Sequence, residues 1–196
     1  LLILDEIYTG FGRTGRWFAC EHWGVVPDLM VVGKGLTGGF PFAACIGTDA
    51  VMGAWPVSTG EAIHTSTFLG HPVGCAAALA SIAVLRDERL VERSAELGAR
   101  MMARLAEMTA DHPHVGEVRG RGMMIGVELV RDRGTREPAP ELAGRMMVEG
   151  LRRGLLLLGG GIHGNVLSLS PPFVLTDEQA DHALGMIGEM LDQIRG

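Results

Sequence analysis

Short apolar runs punctuate the first part of the chain: LLILD, then DLMVVGK, then PFAACIGT, separated by glycine-rich turns. Runs of this length without polar alternation read as strands buried on both faces, the pattern of a mostly parallel sheet in an α/β domain. GHPVGCAAALASIAVLRDERL follows, with Pro72 near a helix start and an alanine-rich body, and reads as a packed helix. From about Asp87 the period becomes helical, with Leu90, Ser94, Leu97, Met101, Leu105 and Met108 on one stripe until DHPHVG stops it. That helix leads into a second domain, so the expected limits are 1–90 and 91–196.

Beyond it, GEVRGRGMMIGVELV reads as a strand pair or a bent strand, and RDRGTREPAP as a charged surface loop. A helix is predicted from about Glu141 to Arg153, closing on Arg152, Arg153 and Gly154 as a dipole-complemented terminus should. LLLL and NVLSLS read as strands. The last helix is the clearest: Thr176 caps it with Gln179 three residues on, and Ala183, Leu184, Ile187, Met190, Leu191 and Ile194 line one face. The second domain is thus expected to be a small α+β unit.

Composition narrows the function classes. The 196 residues carry a formal net charge of -6, with 47% hydrophobic and 20% charged. Mild acidity leaves no basic footprint for nucleic acid, and no stretch is apolar enough to span a membrane. Cys20, Cys45 and Cys75 are odd in number and widely spaced, which suggests neither a disulfide framework nor a zinc knuckle. They read as small buried hydrophobes, and a reducing cytoplasm fits them. His64, His71 and His163 lack ligand-like partners at short spacing, so no metal is expected and the rings read as solvated or satisfied. The opening LLILDE begins with an apolar run and no initiator Met, so the chain reads as the C-terminal part of something longer.

The basic residues are sixteen arginines and a single lysine, Lys34. Arginine serves solubility and ion pairing while staying protonated; a lysine amine can be deprotonated and attack a carbonyl. Lys34 closes LMVVGK and Asp5 closes LLILD. If both runs are parallel strands, both side chains emerge at the carboxyl edge of the sheet, where open α/β folds place ligands. A lysine and a carboxylate there suit pyridoxal phosphate: the amine holds the aldehyde, and the acid keeps the pyridine nitrogen protonated. A structural ion pair would give the same pattern. Between them, Gly10, Gly12 and Gly15 of GFGRTG match a dinucleotide-binding spacing. EIYT intervenes after the strand, however, and RWFACEHW is too short for the long helix that fold requires. A nucleotide-binding oxidoreductase therefore loses on context, and a glycine-rich turn remains.

The block from LLILDEIYTGFGRTG through VVGKGLTGGFPFAACIGT resembles the signature of class III (omega-type) aminotransferases, which are fold-type-I pyridoxal phosphate enzymes. HTSTFLGHPVGCAAALA, VRGRGMMIGVEL and SLSPPFVLTDEQAD resemble further blocks of that family, so the likeness covers essentially the whole chain. It implies the back half of the large, mostly parallel-sheet domain followed by the small C-terminal domain. It assigns Asp5 to the pyridine nitrogen and Lys34 to the internal aldimine and the later proton transfer. It also places Ile7 against one face of the ring and Thr67 on the phosphate of a partner subunit, which implies a homodimer. At Tyr8 many members carry Gln, which bonds the cofactor's phenolic oxygen. Ser168 stands where many carry an arginine that clamps the substrate carboxylate, so the substrate either lacks an α-carboxylate in that pose or is held by another arginine. The implied activity is transfer of an amino group from an amine or amino acid to a 2-oxo acid. A decarboxylase, racemase or aminomutase of the same fold is the alternative. The 196 residues alone are expected to bind the cofactor poorly and to show no turnover.

Overall fold

The apolar runs at Ile3–Asp5 (β1) and Leu29–Val32 (β2) pair in parallel, with Asp5 opposite Val31. Ala44–Gly47 (β3) lies on the other side of β2 and runs antiparallel to it, Val32 opposite Ala44. The sheet is thus mixed, one pair parallel and one antiparallel, within the α/β class expected, and β3 is its reversed member. A parallel return needs a crossover of roughly a dozen residues or more, usually a helix. The link from Gly33 to Ala43 holds only a one-turn 3-10 helix, Lys34–Leu36, and cannot carry the chain back. The structure, a computed structural model, describes residues 1–62 and 64–195.

Burial on both strand faces is corrected. Ile3 is 58% exposed and Ile46 53%, because β1 is the sheet edge and a three-stranded sheet has too little chain around it to cover both faces. Cys45, on β3, is exposed for the same reason; Cys75, on the helix Pro72–Asp87, is exposed as well, and only Cys20 is buried. After a single-turn helix, Asp49–Met52 (α1), comes Pro72–Asp87 (α2). Its N-cap is His71, whose Nδ1 accepts from Gly74 N at 3.3 Å while its ring stacks 5.8 Å from Phe40. Ser81 of α2 donates to the Gly35 carbonyl at 3.3 Å, so this helix braces the turn that carries Lys34.

The chain divides into two compact units, Leu1–Val91 and a second from Glu92 onward. The second contains most of Leu90–Thr109 (α3), then Val115–Arg121 (β4), Met124–Leu129 (β5), Pro140–Arg152 (α4), Leu158–Gly160 (β6), Val166–Leu169 (β7) and Asp177–Gln193 (α5). Its sheet is antiparallel throughout, in the order β4-β5-β7-β6. Alternation along β5 sends Ile125, Val127 and Leu129 into the core and leaves Met124, Gly126 and Glu128 on the opposite face. Leu97, Met101 and Leu105 of α3 meet them there, with Met146 of α4 and Leu184, Ile187 and Leu191 of α5. The predicted capping box is present: Thr176 Oγ1 accepts from Gln179 N at 3.2 Å and Gln179 Oε1 from Thr176 N at 3.0 Å. The LLLL run joins the sheet only at Leu158, since Leu155 N donates to Gly150 O of α4 and Leu155 and Leu157 pack into the core while Leu156 is exposed.

Candidate active site

Because β1 and β2 are parallel neighbours, the residues that follow them emerge at one edge of the sheet. Glu6 N donates to Val31 O at 2.9 Å, extending the ladder one bond past Asp5. Asp5 is exposed, and its Oδ1 accepts from Ile7 N at 2.9 Å, the local bond by which a short acidic side chain steadies its own turn. Lys34 opens the turn after β2 with φ +37°, inside the left-handed region that a residue with a Cβ adopts only at a cost of about 1–3 kcal/mol. Its Nζ lies 5.4 Å from the centroid of the Tyr8 ring, a cation–π distance. Among the described residues it forms no ion pair with a carboxylate. Asp5 and Lys34 are therefore brought to one edge, one strand apart, without neutralising each other.

The segment after β1 forms the bed under this lysine. Ile7 is half-buried, and its Cγ2 lies 3.5 Å from where a side chain on Gly33 would begin. A Cβ on Gly35 would come 3.3 Å from Phe11 Cβ, and one on Gly10 would come 2.7 Å from the Glu6 carbonyl oxygen. Gly10 and Gly35 thus permit close packing of the turn, Gly12 and Gly15 take positive φ, and the 3-10 helix Ala19–Trp23 comes next instead of a long dinucleotide-binding helix. Tyr8 also acts on Arg13. Burial lowers the Arg13 guanidinium below its ordinary value, while neighbouring Tyr8 pulls it the other way. Thr67 lies exposed in the turn that precedes α2. Ser168 sits mid-strand in β7, opposite Gly126 and Leu158, in the second unit.

Sequence reasoning missed one residue here. Glu6, beside exposed Asp5, is only 3% exposed and gathers donors from three places. Its signal was an acid three residues ahead of Thr9 in a turn, too common a pattern to single out. A cleft of about 450 Å³ between α4 and α5, lined by Met146, Glu149, Arg152, Met190 and Ile194, holds none of the candidate residues. Among the described residues no group of His, Cys, Asp and Glu is placed to hold a metal, and no helix is long and apolar enough to cross a membrane.

Comparison with known proteins agrees with this geometry. A family model described as aminotransferase class-III matches residues 1–191. The 5-aminovalerate aminotransferase of Pseudomonas aeruginosa is 40% identical over 195 residues, which is 99% of this chain and 45% of that protein. The alanine/serine racemase of Pyrococcus horikoshii is 40% identical over 187 residues, 95% of this chain and 38% of that protein. Among solved structures, a Bacillus anthracis aminotransferase superposes with a TM-score of 0.93 at 33% identity, covering 99% of this chain and 45% of that one. An (S)-enantioselective omega-transaminase from Thermomicrobium roseum gives 0.90 at 33%, covering 100% and 44%. The chain thus spans less than half the length of these relatives.

Proposed function

Because this chain belongs to the class-III aminotransferase family, we propose that the protein transfers an amino group from an amine or amino acid to a 2-oxo acid with pyridoxal phosphate as cofactor. The observation that carries the reading is the placement of the sole lysine. Lys34 stands on a left-handed turn over Tyr8, at the sheet edge where Asp5 is exposed. Backbone strain of this kind clusters at functional sites. The residues present fit the cofactor: a primary amine outside any ion pair among the described residues, a carboxylate at the same edge, and glycines where side chains would press on the bed. When bound, pyridoxal phosphate supplies an electron-withdrawing ring.

Each residue then has a task of its own. Lys34 would hold the cofactor through its aldehyde and, when free, would take and return the proton at the substrate carbon, which a guanidinium could not do. Asp5 would hold the pyridine nitrogen, Ile7 would pack against the ring, Tyr8 would offer its hydroxyl to the phenolic oxygen, and Thr67 would donate to the phosphate bound by a partner subunit of a homodimer. Residues 1–90 form the back half of the cofactor-binding domain and 91–196 the small C-terminal domain, in a cytoplasmic enzyme.

The test is covalent attachment. Full-length protein incubated with pyridoxal phosphate and reduced with borohydride is expected to gain a phosphopyridoxyl group at Lys34, with a visible band before reduction that Lys34→Arg lacks. Absence of attachment at Lys34 overturns the reading. A racemase is the second reading, favoured by the 40% identity to the Pyrococcus horikoshii enzyme. Conversion of a single amino-acid enantiomer to a racemate without a 2-oxo acid would select it over transamination.

A further inference from the structure

The proposed function leaves Glu6 without a task, yet its side chain accepts three hydrogen bonds in the segment that meets the Lys34 turn. Its carboxylate is buried, and burying an ionised carboxylate is costly unless hydrogen bonds replace its water. Three donors converge on it. Thr9 Oγ1 donates to Oε2, Ala19 N donates to Oε2 at 3.0 Å, and Cys20 N donates to Oε1 at 2.8 Å. Its backbone is equally engaged: N donates to Val31 O at 2.9 Å, and O accepts from Gly10 N at 2.9 Å. One residue thus joins the end of β1, the glycine turn and the start of the 3-10 helix Ala19–Trp23. The segment these bonds enclose carries Ile7, Tyr8 and Phe11, side chains that meet the Lys34 turn.

We infer that Glu6 is a positioning residue: its buried carboxylate locks the turn that holds Tyr8 and Ile7 beneath Lys34, and so sets where the lysine amine stands. This rests on the proposed function for its catalytic meaning, although the coupling of Glu6 to Lys34 is measurable without any cofactor. A charge-assisted acceptor is needed because three donors share two oxygens. A glutamine would present an NH2 to at least one of them whichever way its amide is turned.

Glu6→Gln and Thr9→Val in the full-length protein test this; the second removes one donor and leaves the carboxylate in place. In the cofactor-free protein, the rate at which acetic anhydride acylates Lys34 reports the position of the amine, and amide exchange at Ala19 and Cys20 reports the lock. Glu6→Gln is expected to accelerate exchange at both amides and to change the acylation rate, each by roughly tenfold, with Thr9→Val moving both the same way by less. In the holoenzyme, Glu6→Gln is expected to cut kcat per bound cofactor by roughly tenfold to a hundredfold and to move the pH midpoint of the visible band by more than about half a unit. A merely structural Glu6 would lower thermal stability and leave the acylation rate, kcat per bound cofactor and band midpoint unchanged; that result overturns the inference, and if Glu6→Gln does not fold, unchanged values in Thr9→Val do so. If the wild type attaches no cofactor at Lys34, the proposed function falls, while the acylation and exchange rates still decide whether Glu6 governs the lysine.

Discussion

Lys34 and Ser168 show how single positions set the chemistry on offer. Lys34 was legible because it is the sole lysine and closes an apolar run. Its left-handed backbone and its place over Tyr8 were not, since both depend on how the turn after β2 settles on residues 7–11. By the family resemblance an arginine would be expected at position 168, and Ser168 has Gly126 and Leu158 as neighbours across the sheet, with Val166 Cγ1 3.1 Å from where a side chain on Gly126 would begin. If the protein acts as proposed on amino-acid donors, Ser168→Arg is expected to lower KM for α-carboxylate donors by about tenfold or more, the worth of one charged hydrogen bond, while leaving KM for plain amines nearly unchanged. Steady-state kinetics on a paired amine and amino-acid panel measures it.

At the scale of elements, close backbone approaches decide more than propensity does. In α3 a Cβ on Gly98 would lie 2.1 Å from the carbonyl oxygen of Gly122, in the two-residue turn between β4 and β5. The same turn is held from α3 by Ser94, whose Oγ accepts from Met123 N at 3.2 Å. Alanine normally gains about 1 kcal/mol over glycine inside a helix. Overpacking against an immobile backbone costs typically 1–3 kcal/mol or more, so the clash wins. Gly98→Ala is expected to destabilise the second unit by about 2 kcal/mol, read from the urea midpoint. The stripe of α3 and the cap of α5 were legible because they are periodic and local. The antiparallel β3 was not read, because strand direction depends on where the chain goes between strands, and an unbroken apolar run does not fix it.

For the whole molecule, the stability profile against pH follows from two kinds of group. His112 is buried; its Nε2 donates to the Leu191 carbonyl at 2.9 Å, and its Nδ1 accepts from His114 N at 3.2 Å. A second ring proton would face a donor. Burial lowers its pKa, nearby Arg195 and His114 push the same way, and the Leu191 carbonyl and Asp192 oppose them. The folded protein therefore keeps it neutral where the unfolded chain would charge it. Its contribution is full above the ordinary imidazole value of about 6.5 and is lost as pH falls below that value. Asp177 is lowered first by its hydrogen bond to Arg93, so its contribution is present above the ordinary carboxylate value of about 3.9 and disappears below it. Urea midpoints measured against pH are expected to fall in two steps, and His112→Asn should remove the first while leaving the second.

The amino-acid sequence by itself determined the chemistry available to this protein: one nucleophilic amine and one acid at the ends of successive apolar runs, a glycine turn between them, and a helical period that marks where the second unit begins. These are properties of residue type and spacing, which are local. Tertiary structure alone decided that β3 reverses, that Cys45 and Cys75 are exposed, and that Glu6, next to an exposed acid, is buried with three donors on its carboxylate. The reason is that burial and strand direction depend on which distant segments arrive alongside. Two neighbouring carboxylates differ in role only once one has three donors around it and the other has water.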